Sequence, residues 1–134
     1  MSQEYLNYNL MRGIWPIVFL SGIFLSSCNQ SVYVEPKVPE VVSFKQHIIP
    51  LLNRNCNSSG CHSGIKPQGN LNLEPAKAYN QLSSKQLIDT LRPKQSAIYA
   101  AMTSIDRPMP PSGKLDTFYI QTMLKWIEQG AKEN

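Results

Sequence analysis

The chain has 134 residues, enough for one domain, with a formal charge of +4 and 16% charged residues. That composition excludes a disordered charged tail and the biased make-up of collagen-like or mucin-like segments. The basic residues are scattered from Lys37 to Lys132 rather than gathered on a stripe, which argues against a nucleic-acid binder; at most they form a rim that steers acidic partners.

Residues 1–27 read as a cleavable leader. Arg12 is followed by an uncharged apolar stretch, 13–25, long enough for only about 20 Å of helix and therefore too short to cross a hydrocarbon core of about 30 Å. A secretory signal fits this pattern better than a membrane span. Glu4 offsets Arg12 in the unusual stretch before it, so Met11 offers a second start that restores a basic n-region. The segment LSSC (25–28) resembles the lipobox of bacterial lipoproteins. That resemblance implies cleavage before Cys28 and a diacylglycerol thioether on its sulfur. Asn29 is not the aspartate associated with inner-membrane retention, which favours the outer membrane facing the periplasm. Residues 28–40, with Pro36 and Pro39 and no helical period, are expected to form an extended tether, leaving 41–134 as the folded domain.

Ser43 has the character of an N-cap for a helix over FKQHIIPLLNRN, whose Phe44, Ile48, Leu51 and Leu52 share one face. Pro50 must kink that helix or break it after a single turn. The helix runs into CNSSGCH (56–62). With Cys28 consumed by lipid, Cys56 and Cys61 are the remaining cysteines, and outside the cytoplasm their default fate is a disulfide. Zinc would need a fourth ligand, and the adjacent Cys61 and His62 side chains point apart. Haem attachment uses that adjacency: two thioethers from the cysteines, with the following histidine beneath the iron. The usual spacer has two residues, whereas here it has Asn57, Ser58, Ser59 and Gly60. On a helix, cysteines so spaced would lie about 140° apart, so the extra residues are expected to loop out. The motif alone leaves haem and disulfide both open.

Residues 62–75 form a loop bearing the apolar pair Leu71 and Leu73. Short helices are expected over 76–82, over 84–91 with Ser84 as cap, and over 96–102. The following loop contains RPMPP (107–111), a methionine on a backbone stiffened by prolines. A thioether suits haem iron, and Met/His ligation raises its potential into an electron-transfer range; the competing role for Met109 is to fill a gap under the loop. Asp116 caps a final helix ending at Gly130, with Tyr119, Met123, Trp126 and Ile127 as its apolar stripe. No convincing strand pattern appears, and the domain is expected to be all-α. Met102 and Met123 read as core, and Tyr99 and Tyr119 as packing residues. His47 is a surface or half-buried residue that competes with Met109 as a second axial ligand, and Arg107 is either solvated or paired with a haem propionate.

The order of helix, C-x4-C-H, short helices, methionine loop and final helix resembles a class I c-type cytochrome, and more closely the small planctomycete-type monohaem domain. The matching blocks are VSFKQHIIPLLNRNCNSSGCH, GNLNL, SAIYAAM, RPMPPSGKLD and the helix ending KWIEQGA, together spanning most of 42–131. The resemblance implies a cytochrome c-like fold of three to five short helices around one covalent haem c. It also implies thioethers at Cys56 and Cys61, His62 as proximal ligand and Met109 as distal ligand. The first and last helices should cross beside the haem, with Phe44 and Trp126 at the crossing. A membrane-anchored electron carrier between unidentified redox proteins of the cell envelope is the implied function. No catalysis and no small-molecule substrate are expected, because the iron would have no open position. The alternative is a non-redox binding or structural lipoprotein with a Cys56–Cys61 disulfide, and a third reading, small-ligand sensing, applies if Met109 is labile.

Overall fold

The computed structural model describes residues 34–134; the leader 1–27, Cys28 and the first part of the tether lie outside the described residues. Among the described residues the chain is helical, with four α-helices, three shorter helical turns and no strand. None of these helices is long and apolar enough to cross a membrane.

The first helical segment begins where local chemistry places it. Ser43 accepts a hydrogen bond from the Gln46 N–H at its side-chain oxygen (3.2 Å) and serves as N-cap. A π-helical turn follows over Phe44–Ile48, and α1 then covers Ile49–Asn55 with Pro50 in its first turn. The break has a direct cause: Pro50 has no N–H to give, so it sits in the first turn of a helix, where a donor is not needed. Of the two outcomes expected of Pro50, a kink or a break after one turn, the structure has the break.

The chain then passes through CNSSGCH into a loop with one 3-10 turn, Gln68–Asn70. Leu73 is buried and Leu71 half-buried, so this loop carries its apolar pair inward. Helix α2 spans Ala78–Ser84, two residues later than expected. The helix expected over 84–91 does not form, and this is a correction to the sequence reading. Ser84 is the last residue of α2 instead of a cap for a new helix. Gln86 takes the left-handed conformation at φ 54°, its N–H donates to the Ser83 carbonyl, and Leu87 N–H donates to that of Leu82. That pair of bonds is a Schellman stop. Beyond it, the Asp89 carboxylate accepts from Leu91 N–H (3.0 Å) and Arg92 N–H (2.9 Å), so side-chain bonding replaces the helical ladder.

A 3-10 turn over Pro93–Gln95 leads to α3, Ala97–Thr103, and α4 covers Thr117–Glu128. Asp116 accepts from Phe118 N–H at 2.7 Å as N-cap. At the other end Gly130, at φ 89°, and Ala131 close a second Schellman stop on Ile127 and Trp126. Only glycine takes that φ without strain, which is why the helix stops there.

Helix α4 is the centre of the core, burying Ile120, Met123, Trp126 and Ile127 against Phe44, Ile48, Leu52 and Leu82. Tyr119 is partly buried against this cluster, and Met102 and Met123 are core residues as expected. Phe44 and Trp126 stack at 5.2 Å between ring centroids, with Tyr79 edge-on to Phe44 at 5.3 Å. The first and last helical segments therefore meet through the two aromatic residues expected there. The tail completes the joint: the Asn134 side-chain oxygen accepts from Phe44 N–H at 2.9 Å, satisfying a donor that the helix cannot. Asn134→Ala should lower stability by about 1 kcal/mol, read as a shifted urea midpoint with an unchanged slope.

Candidate cofactor site

One cavity of about 340 Å³ is lined by Asn55, Cys56, Gly60, Cys61, His62, Gln68, Met109, Pro110 and Pro111. All four residues singled out as cofactor-binding in the sequence, Cys56, Cys61, His62 and Met109, border it. Three elements bring them together. The C-terminal end of α1 presents Asn55 and Cys56, the segment that follows carries Cys61 and His62, and the methionine loop closes from another part of the chain. Met109 N–H donates to the Ala101 carbonyl at 2.9 Å, which ties that loop to α3.

The two thiols are unbonded and half-buried. Burial pushes the Cys56 thiol up from 9.0 to about 11, and the nearby Cys61 adds to the shift. A raised thiol pKa means less thiolate at any given pH, so alkylation should be slow. At pH 8, Cys56 in the cofactor-free chain should react about 10-fold more slowly than a thiol titrating at 9.0, its smaller thiolate fraction being partly offset by a stronger nucleophile, and the rate should keep climbing towards pH 11. Site-resolved iodoacetamide kinetics by peptide mass check this.

His62 Nδ1 lies 3.1 Å from the Gln68 carbonyl. A carbonyl only accepts, so the hydrogen sits on Nδ1 and the lone pair is left on Nε2. This is the arrangement that a ligating histidine uses, its second nitrogen held by a backbone acceptor. His47 acts elsewhere in the fold. It is absent from the cavity lining, and its Nδ1 accepts from Ser43 N–H at 2.9 Å, bracing its own helix start. Arg107 is exposed on the methionine loop, with its N–H bonded to Ser104 Oγ at 3.1 Å.

Comparison with known proteins gives no match: no family model, no curated protein and no solved structure. The chemistry of the lining must therefore carry the reading. Among the described residues no three His, Cys, Asp or Glu side chains are grouped to hold a bare metal ion. The donors present are two thiols, one imidazole with a free Nε2 and one thioether, around a cavity within the usual range of about 300–1,000 Å³ for cofactor sites. This set fits a haem, which Cys56 and Cys61 would hold covalently and His62 and Met109 would ligate.

Sequence reasoning missed Asn55, Gln68, Pro110 and Pro111 as lining residues, and Gly60, expected to loop out with the spacer, also borders the cavity. Gln68 acts through its backbone carbonyl, for which no side-chain signal exists. Pro110 and Pro111 were visible only as stiffeners of the loop.

Proposed function

We propose that this chain is a membrane-tethered monohaem c-type cytochrome with a cytochrome c-like fold, passing single electrons between redox proteins of the bacterial cell envelope. The observation that carries the reading is the convergence on one cavity of CNSSGCH and Met109, two motifs far apart in sequence. Cys56 and Cys61 would hold the haem covalently, and His62 Nε2 and the Met109 thioether would serve as ligands to its iron. Haem so bound supplies a one-electron iron couple, with a potential raised by the Met/His pair.

The protein's own contribution is to fix these donors. The Gln68 carbonyl holds the His62 tautomer and ring orientation. Pro108 and Pro110 restrict the backbone on either side of Met109, and the bond to Ala101 fixes its distance from α3. With both His62 and Met109 as ligands, such a site would suit an electron carrier better than an enzyme. Lys66 and Arg107, on the two loops that border the cavity, favour acidic partners. Lipid on Cys28 would anchor the protein to the membrane, on the outer membrane's periplasmic face, with 28–40 as spacer.

The competing reading, a structural lipoprotein with a Cys56–Cys61 disulfide, gives no role to His62 and Met109, which border the same cavity as the two cysteines. Expression of the full chain with a cytochrome maturation system separates the two. Haem that survives a denaturing gel, detected by peroxidase staining, is the expected result. A haem-free band whose cysteines resist alkylation until reduced would instead establish the disulfide protein.

A further inference from the structure

The four residues between Cys56 and Cys61 are folded, and their folding has a consequence for the site. Cys61 N–H donates to the Ser58 carbonyl at 3.0 Å, with Gly60 at φ +81°, so 58–61 is a turn of type II character with glycine where a positive φ is needed. His62 N–H donates to the Cys56 carbonyl at 3.1 Å, closing the motif end to end. Ser63 Oγ donates to the same Ser58 carbonyl at 3.0 Å, and Ser58 Oγ donates to Cys61 Sγ at 3.4 Å. Asn57 clamps this turn from outside. Its Nδ2 donates to Asn53 Oδ1 on α1 (2.6 Å) and to the Leu73 carbonyl (3.2 Å). Leu73 N–H in turn donates to the His62 carbonyl at 2.7 Å, so Asn57 links the helix before Cys56 to the segment that supports His62.

We infer that Asn57 and Gly60 are positioning residues that fold the long spacer so that Cys56 and Cys61 both reach the haem, each forming its own thioether. The inference rests on the haem reading above. Each attachment is an addition: the cysteine S–H adds across a vinyl C=C, sulfur bonding to the carbon next to the ring and hydrogen going to the terminal carbon. One S–H bond and one π bond are lost, one S–C and one C–H bond form, and no electrons are transferred.

One and two thioethers give the same mass, so the test counts free thiols. The full chain is expressed with a maturation system, denatured, treated with iodoacetamide, and the haem-bearing peptide containing Cys56 and Cys61 is weighed. The wild type should carry no alkyl group on that peptide. Asn57→Asp keeps the shape but cannot donate, and should leave much of the haem peptide with one alkyl group. Gly60→Ala meets nothing within 4 Å of the added carbon, so it tests the backbone conformation with little risk to folding. It should leave part of the haem peptide with one alkyl group, where the wild type has none. Asn134→Ala, which loosens the fold away from this loop, should leave the peptide unalkylated. Haem-bearing wild type with one alkyl group would overturn the inference while sparing the haem reading, as would full protection in both loop variants. An equal rise in Asn134→Ala would reduce the loop residues to general stability. No haem on the wild type would overturn both.

Discussion

Met109→Ala in the proposed holoprotein should keep its fold and lose its distal ligand. Met109 is 42% exposed, and its backbone N–H bond to Ala101 survives the substitution. In the haem-free chain thermal stability should therefore change little, as for surface replacements in general, within about 0.5 kcal/mol, whereas the haem-bearing form also loses its iron–thioether bond and should lose more. The redox properties should change greatly. A methionine opposite histidine raises the potential, and axial ligands together span about 0.8 V, so loss of the thioether should lower the potential by a sizeable part of that range. The vacated position should bind cyanide or imidazole. Spectroelectrochemistry and ligand titration of the variant measure both effects; an unchanged spectrum with no ligand binding would reject Met109 as ligand. His47→Ala should serve as the contrast, since His47 braces the start of its own helix and is absent from the cavity lining. It should leave the potential where it was.

Trp126→Ala should be the most destabilising single change in the domain. The indole is 1% exposed, stacks on Phe44 at 5.2 Å and donates from Nε1 to the Lys132 carbonyl at 2.9 Å. Its removal leaves a large void where the first and last helical segments meet and strands one carbonyl. Truncations of this kind cost about 3–5 kcal/mol, a large part of the about 5–15 kcal/mol that holds a domain together. For a loss of about 4 kcal/mol in a domain of this size, Tm should fall by about 16–32 °C. Calorimetry of the variant tests this, and a fall of only a few degrees would mean that the aromatic joint does not organise the fold. Trp126→Phe should recover part of the loss, because it restores the ring contact but not the Nε1 bond.

Much of the helical frame was legible from residues that act within one turn of themselves. Ser43 and Asp116 cap because a short oxygen-bearing side chain reaches the N–H groups just ahead of it. Gly130 ends α4 because it alone takes the needed φ without strain. The same local logic failed over 84–91. Ser84 looked like a cap, yet Gln86 adopts the left-handed conformation that is usually left to glycine or asparagine. Its tertiary setting explains the outcome: Leu82 is fully buried, Leu87 packs partly against the core, and Ser96 Oγ receives the Asp89 N–H at 2.9 Å. Nothing in SKQLIDTL announces a partner as distant as Ser96.

The sequence by itself determined which chemistry the chain carries and where most of its helices begin and end. Two thiols, a histidine directly after the second, and a methionine set between prolines are chemical facts that no folding can alter. It also showed that Phe44 and Trp126 had apolar faces to bury. Only the tertiary structure decided that CNSSGCH and RPMPP border one cavity, that His62 keeps its hydrogen on Nδ1 for the Gln68 carbonyl, and that the four-residue spacer is a clamped turn. The physical reason is one of range. Caps and stops are set by hydrogen bonds a few residues long, whereas bringing Met109 to His62 requires closing a long loop. That entropic cost is met only when Phe44, Ile48 and Leu52 pack on Trp126 and Ile127.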